Sequence, residues 1–230
     1  MLSPLESAAL LLSLQVGLVS VAFSLPVGIA IAFLLARCDF PGKSLLNGIV
    51  HLPLVLPPVV VGFTLLILFG RNGPAGAWLY QVLGISFAFN WKGAALAAAV
   101  MAFPLMVRAM RLSLENVDRR LEAAARTLGA NRWRSFWTIT LPLMAPGILT
   151  GAILAFARSF GEFGATITFV SNIPGETQTL PLALYTFTQV PGGDAAAWRL
   201  TLISVVVAMA ALLVSELLAR GIDRRIRGMS

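Results

Sequence analysis

From residue 8 to residue 36 the chain runs without a single charged side chain. A helix crosses the hydrocarbon core of a bilayer in about 20 apolar residues. This stretch is therefore longer than one crossing needs, and it is expected to tilt, to kink near Pro26 or to lie partly in the interface. Four more apolar runs follow, at about 45–69, 93–110, 141–160 and 200–218. Backbone groups in lipid must be satisfied within the segment, which leaves helices as the economical solution for runs of this length. The composition agrees: 58% of residues are hydrophobic and 12% charged, with a mean hydropathy of +0.86. Soluble domains carry about 25% charged residues. The expected fold is an all-α integral membrane protein, a polytopic bundle of about five transmembrane helices. With no internal repeat or low-complexity linker, it reads as a single domain over 1–230.

The runs are not alike. The second holds His51, Pro53, Pro57 and Pro58, and so many prolines leave carbonyls unpaired, predicting a kinked or locally unwound helix. Residues 71–92 read as a loop with Trp78 and Trp91 as interfacial anchors. The third run is rich in Ala94, Ala95, Ala97, Ala98 and Ala99, small residues that permit close helix approach. Residues 161–198 read as a continuation of the fourth run, then a loop and a short re-entrant or interfacial helix.

Charge sets the expected orientation. Arg37, Lys43, the seven arginines between Arg108 and Arg134, and Arg220, Arg224, Arg225 and Arg227 fall on one side of a five-span arrangement. Arg71, Lys92 and Arg199 fall on the other, with Glu6, Glu162, Glu176 and Asp194. The positive-inside rule puts the first group in the cytoplasm, with the N-terminus outside and the C-terminus inside. The net charge of +7 thus lies beside apolar spans, and nucleic acid is not an expected partner. No Lys or Arg precedes Arg37, so the first run lacks the basic start of a signal peptide and is expected to stay. A lone Cys38 allows no intramolecular disulfide and no metal framework, and a lone His51 excludes most zinc and triad chemistry. Cys38 reads as an inert thiol and His51 as a satisfied structural side chain rather than a proton or ligand group.

Residues 121–142, LEAAARTLGANRWRSFWTITLP, form the longest polar interruption. An Ala-rich helical segment ends at Gly129, which tolerates φ > 0. A second amphipathic run follows with Trp133, Phe136, Trp137 and Leu141, then Pro142 and Pro146 at the head of the next span. Helix, turn, helix, surrounded by arginines, cannot sit in lipid. It reads as a cytoplasmic docking surface, within a loop at about 111–140. The Trp133, Phe136 and Trp137 cluster suits either a lipid interface or a protein partner.

The small Ala-rich box of Glu122, Ala123, Ala124 and Ala125, then Gly129, then Ile139, Leu141 and Pro142, resembles the conserved loop of ABC-importer permeases. In that family the loop forms a coupling helix seated in a groove of a cytoplasmic ATPase. Here the usual acidic position falls on Ala123, and Glu122 lies one residue earlier, about 100° around a helix. The stretches ARSFGEFGAT and HLPLVLPPVVVGF are similar to the oxyanion branch, above all to the molybdate permeases, with tungstate and sulfate or thiosulfate permeases as the alternative. The resemblance implies a homodimer of this subunit in the inner membrane and two ATPase subunits that bind ATP and Mg. It also implies a periplasmic molybdate-binding protein. No P-loop pattern occurs in the chain, so no cofactor is expected here.

Arg158 and Glu162, four apart, read either as a structural ion pair near an interface or as the lining of a translocation path, with Ser159 and Thr166 as weak donors beside them. A membrane-embedded hydrolase would need a nucleophile with a base, or facing carboxylates, and neither is present. A purely structural membrane protein has no use for a broken span beside a docking loop.

Overall fold

The computed structural model describes residues 2–227, without the side chains of Arg220, Arg224, Arg225 and Arg227, so the basic tail lies outside the described part. Among the described residues all regular structure is helical. The first helix, α1 (Pro4–Arg37), starts on a reciprocal capping box: Ser3 Oγ accepts from Glu6 N–H, and Glu6 Oε2 accepts from Ser3 N–H. After the turn at Cys38 to Gly42 come α2 (Lys43–Val55) and α3 (Pro58–Phe69), then the short α4 (Pro74–Leu83). Asn90 caps α5 (Trp91–Glu115) and Asp118 caps α6 (Arg119–Thr127). Asn131 caps the single turn α7 (Arg132–Ser135), which runs through a π-turn (Phe136–Thr140) into α8 (Leu141–Phe160). The remaining helices are α9 (Gly164–Val170), α10 (Leu180–Gln189) and α11 (Asp194–Arg227).

Helix α5 is the centre of the bundle, packed on α1 and α8 through buried Ala94, Ala97, Ala98, Ala102 and Met106. Small side chains let these backbones approach, and glycines on the partners do the same: Gly151 of α8 sits where a Cβ would lie 2.9 Å from the Met106 carbonyl oxygen. The core divides by level. Val16, Val61, Leu65, Ala94, Ala98 and Phe169 cluster at one level. Ala32, Leu35, Val50, Met106, Met110, Leu114 and Met144 cluster at another. A third cluster joins Ala9, Phe160, Leu180 and Leu200.

These levels decide what the proline-rich second run does. Four described helical segments are long and apolar enough to cross a membrane, and α2 with α3 makes a fifth if the pair counts as one span, bent by 115° at Leu56 and Pro57. Val50 of α2 packs at the Arg37 level, whereas Val61 and Leu65 of α3 pack at the Ala94 level. The pair therefore joins the two levels despite its bend, and counting it as one span gives five passes among the described residues. The expected kink is real but far sharper than a simple proline kink, because Pro57 and Pro58 are adjacent and Pro58 restarts a helix at its first turn.

Three expectations need correction. Residues 71–92 are not a plain loop: Pro74 starts α4, which ends at Gly84 in a left-handed conformation (φ 65°). The second run of the docking segment is not a separate helix; it is the first turns of the span itself, continuous over Arg132–Phe160. Pro142 has no N–H for the Thr138 carbonyl, and the turn before it widens so that Leu141 N–H bonds Phe136 C=O. The fourth span also does not continue past Phe160. The chain turns at Gly161, and α9 folds back against α3, with Gly62 so close that a Cβ there would meet the Ala165 oxygen at 2.5 Å.

Candidate coupling segment and translocation path

Helix α6 has no buried residue and projects from the end of the bundle where α1 and α5 finish. Ala123 and Ala124 are exposed and Ala125 half-buried. Gly129, at φ 88°, closes the helix in a Schellman arrangement: its N–H bonds Arg126 C=O, and Ala130 N–H bonds Ala125 C=O at 3.0 Å. Open space surrounds the position of its missing Cβ, so the backbone angle, and not crowding within the chain, is what calls for glycine. Leu128, Trp133 and Trp137 stand out from the surface, at 89%, 73% and 59% exposure. Phe136 turns the other way, edge-on to Phe33 of α1 at 5.3 Å. Ile139 and Leu141 are half-buried and Pro142 is exposed.

Glu122 points into the bundle. Its Oε1 lies 3.2 Å from Nη2 of Arg37, with side-chain exposures of 15% and 8%. The same oxygen accepts from Thr140 Oγ1 at 3.0 Å. Arg37 also donates to Val117 C=O, and Arg119 donates to Ala36 C=O, so α6 is tied to the last turn of α1 from both sides. The offset of the carboxylate from the usual acidic position thus has a structural counterpart: Glu122 faces Arg37, while Ala123 takes the outer face.

Around the α8–α9 turn, Arg158 Nη1 lies 2.6 Å from Glu162 Oε2, an ion contact without hydrogen-bond alignment. Glu162 Oε1 accepts from Ala165 N–H at 2.9 Å and so fastens the start of α9. Ser159 accepts from Ser20 Oγ at 2.9 Å and reaches Ala98 C=O, joining α8 to α1 and α5. Ser159, Glu162 and Thr166 are buried within the chain; of the four, only Arg158 keeps appreciable exposure, 31% of its side chain.

A family model described as "Binding-protein-dependent transport system inner membrane component" matches residues 24–228. The chain belongs to this family. It is 66% identical over 215 residues, 94% of each chain, to the "Molybdenum transport system permease protein ModB" of Escherichia coli. The protein of the same name from Haemophilus influenzae is 58% identical over 222 residues, covering 96% of this chain and 97% of that one. A solved structure of the MetNI methionine ABC transporter in inward-facing conformations superposes with a TM-score of 0.74 at 16% identity, covering 96% of this chain and 99% of that one, which shows a shared fold.

In this permease two polar features escaped sequence reasoning. Glu6 is fully buried and accepts from Arg199 Nε at 3.1 Å and Nη2 at 2.7 Å, pinning the start of α1 to the start of α11. The Ser3–Glu6 capping spacing was the available local signal; the arginine partner was not readable. Ser13 accepts from Leu180 N–H at 2.6 Å and anchors the head of α10 on α1. Among the described residues no cluster of His, Cys, Asp and Glu is placed to hold a metal.

Proposed function

We propose that this permease is the membrane subunit of an ATP-driven importer that passes molybdate into the cytoplasm. The observation that carries the reading is its end-to-end likeness to molybdenum permeases in two bacteria. Two copies would pair in the inner membrane and work with two cytoplasmic ATPase subunits, which hold ATP and Mg, and with a periplasmic molybdate-binding protein that selects the anion. The end bearing α6 and most of the arginines is cytoplasmic by the positive-inside rule, so the N-terminus lies outside and the C-terminus inside.

Exposed Ala123, Ala124, Gly129 and Leu128 offer a compact apolar surface to the ATPase, while Glu122 passes movement of α6 to Arg37 and Thr140. Closure of the ATPases on ATP displaces α6. Because α6 is fastened to α1 and runs through Gly129 into the α8 span, the bundle changes the side on which it is open. Arg158 is the path cation on the outer half, its charge moderated by Glu162, which suits brief contact with an anion.

The test is uptake of labelled molybdate into vesicles holding the permease, ATPase and binding protein. Uptake that requires ATP and resists excess sulfate supports the reading. Robust sulfate uptake without molybdate uptake would keep the importer and replace its cargo; tungstate as competitor separates the third anion. Ala124→Trp, on the exposed face of α6, should abolish copurification of the ATPase without placing a side chain at the positive φ of Gly129.

A further inference from the structure

At the α6 end of the bundle, α2 and α5 flank an open cleft of about 240 Å³ lined by Asn47, His51, Arg108, Arg111, Leu112 and Glu115. We propose that this cleft is a binding station for a tetrahedral oxyanion, held by Arg108 and Arg111. The identity of the anion rests on the molybdate reading above; the site itself rests on the two guanidinium groups and their neighbours in the cleft.

On α5, Arg108, Arg111, Leu112 and Glu115 recur at helical spacing and share one face. On α2, Asn47 and His51 are one turn apart on the facing side. Arg111 is pre-oriented: Nε donates to Glu115 Oε1 at 2.8 Å and Nη1 donates to Asn47 Oδ1 at 3.0 Å. A guanidinium has five N–H donors, so most of its fork remains open. The Asn47 oxygen is occupied by Arg111, which leaves the amide nitrogen as a donor. His51 Nδ1 donates to Asn47 C=O at 2.8 Å, which fixes the ring, and Nε2 has no partner among the described residues.

Arg108 decides the sign of the ligand. It is exposed, and among the described residues it has no hydrogen bond or ion pair. Two guanidiniums face one carboxylate, so the cleft carries a surplus positive charge. Planar guanidinium forks match pairs of oxygens on a tetrahedral anion better than a point cation does. Arg108 lies seven residues before the end of α5, roughly 10 Å along the axis at 1.5 Å per residue. That depth lets water and free anion reach it, and the openness keeps binding weak, as release toward the cytoplasm requires. The same chemistry would accept a phospholipid phosphate, so the test must separate the two sources.

The permease with its ATPase is placed in phosphatidylcholine nanodiscs, without nucleotide or binding protein, and titrated with radiolabelled molybdate and, separately, sulfate by equilibrium dialysis. The expected result is saturable molybdate binding that Arg108→Gln weakens by about tenfold or more, with Arg108→Lys falling between. Arg108 is exposed, so folding of the variants is not at issue; size-exclusion profiles check it. Equal binding by wild type and Arg108→Gln overturns the proposal. So does loss of wild-type binding when phosphatidylglycerol replaces half the lipid at an ionic strength high enough to screen the surface charge, because the station then belongs to anionic headgroup phosphate. Binding of sulfate but not molybdate, still dependent on Arg108, keeps the station and overturns the molybdate reading.

Discussion

The two ends of the bundle use the same charged residues to opposite effect. At the Glu6 end the two buried carboxylates each have an arginine, Glu6 with Arg199 and Glu162 with Arg158, while Glu176, Asp194, Arg71 and Lys92 make no ion pair among the described residues. At the Arg37 end only the Arg37–Glu122 pair is withdrawn from solvent, while Arg108, Arg120, Arg132 and Arg134 are exposed without a carboxylate partner among the described residues. A cation whose counter-charge is supplied within the chain fastens helices together. A cation without one remains available to headgroups, to a partner or to an anion. The outer end is therefore built to hold, and the inner end is built to meet something.

The largest expected effect is at the outer end. Arg199→Ala leaves Glu6 buried without its cation, and breaking such a pair costs about 3 kcal/mol, the low end of the range because the guanidinium is partly exposed. For a chain of this size that lowers the thermal midpoint in detergent by roughly 6–12 °C. Arg134→Ala, at the other end, should stay within about 0.5 kcal/mol; equal losses would erase the contrast between the ends.

Next, Arg158→Gln should cost about 2 kcal/mol, less than Arg199→Ala because Glu162 loses an ion contact without hydrogen-bond alignment, whereas Glu6 loses two N–H donors of Arg199. Differential scanning fluorimetry ranks the two, and a reversed order would mean that Glu162 depends on its arginine more than Glu6 does. Arg37→Gln tests the one buried pair of the inner end. The permease should still fold, yet uptake per ATP hydrolysed should fall about fivefold or more, with the charge-exchanged Arg37→Glu, Glu122→Arg variant recovering part of it. Stability loss without a change in that ratio would make the pair a fastener like those outside.

The smallest effect concerns Asp39, in the turn between α1 and α2. A hydrogen bond from Lys43 Nζ, then the charge of that lysine and of Arg119, holds its carboxyl below the usual carboxylate value. A lowered folded pKa contributes stability above the ordinary value, and this is lost as pH falls through the folded one. Asp39→Asn should therefore differ slightly from wild type at neutral pH and converge with it in acid, as pH-dependent melting curves would show. Divergence in acid would contradict the sign.

Much of this was legible along the chain. The long apolar runs, Pro57 beside Pro58, and Gly129 after an Ala-rich box each describe a local event: a segment against lipid, a backbone without an N–H, a residue at positive φ. The Arg158–Glu162 pair was legible for the same reason, being four residues apart. Whether Trp133, Phe136 and Trp137 act together was not legible, since equal spacing fits either face; the fold turns Phe136 onto Phe33 and leaves the tryptophans outside. The cleft of Arg108 and Arg111 was likewise hidden, because Asn47 and His51 come from another helix.

The amino-acid order by itself determined that this protein spans a membrane, that its second span breaks at the adjacent prolines, and which end gathers the arginines. Hydropathy, capping and proline geometry act within a few residues, so a linear reading reaches them. Only the tertiary structure decided that Glu6 meets Arg199 across 193 residues of chain, that Glu122 turns toward Arg37, and that the second span bends by 115° yet still joins the two core levels. Those outcomes depend on which helices become neighbours, and close packing around the small residues of α5 sets that for the whole bundle at once.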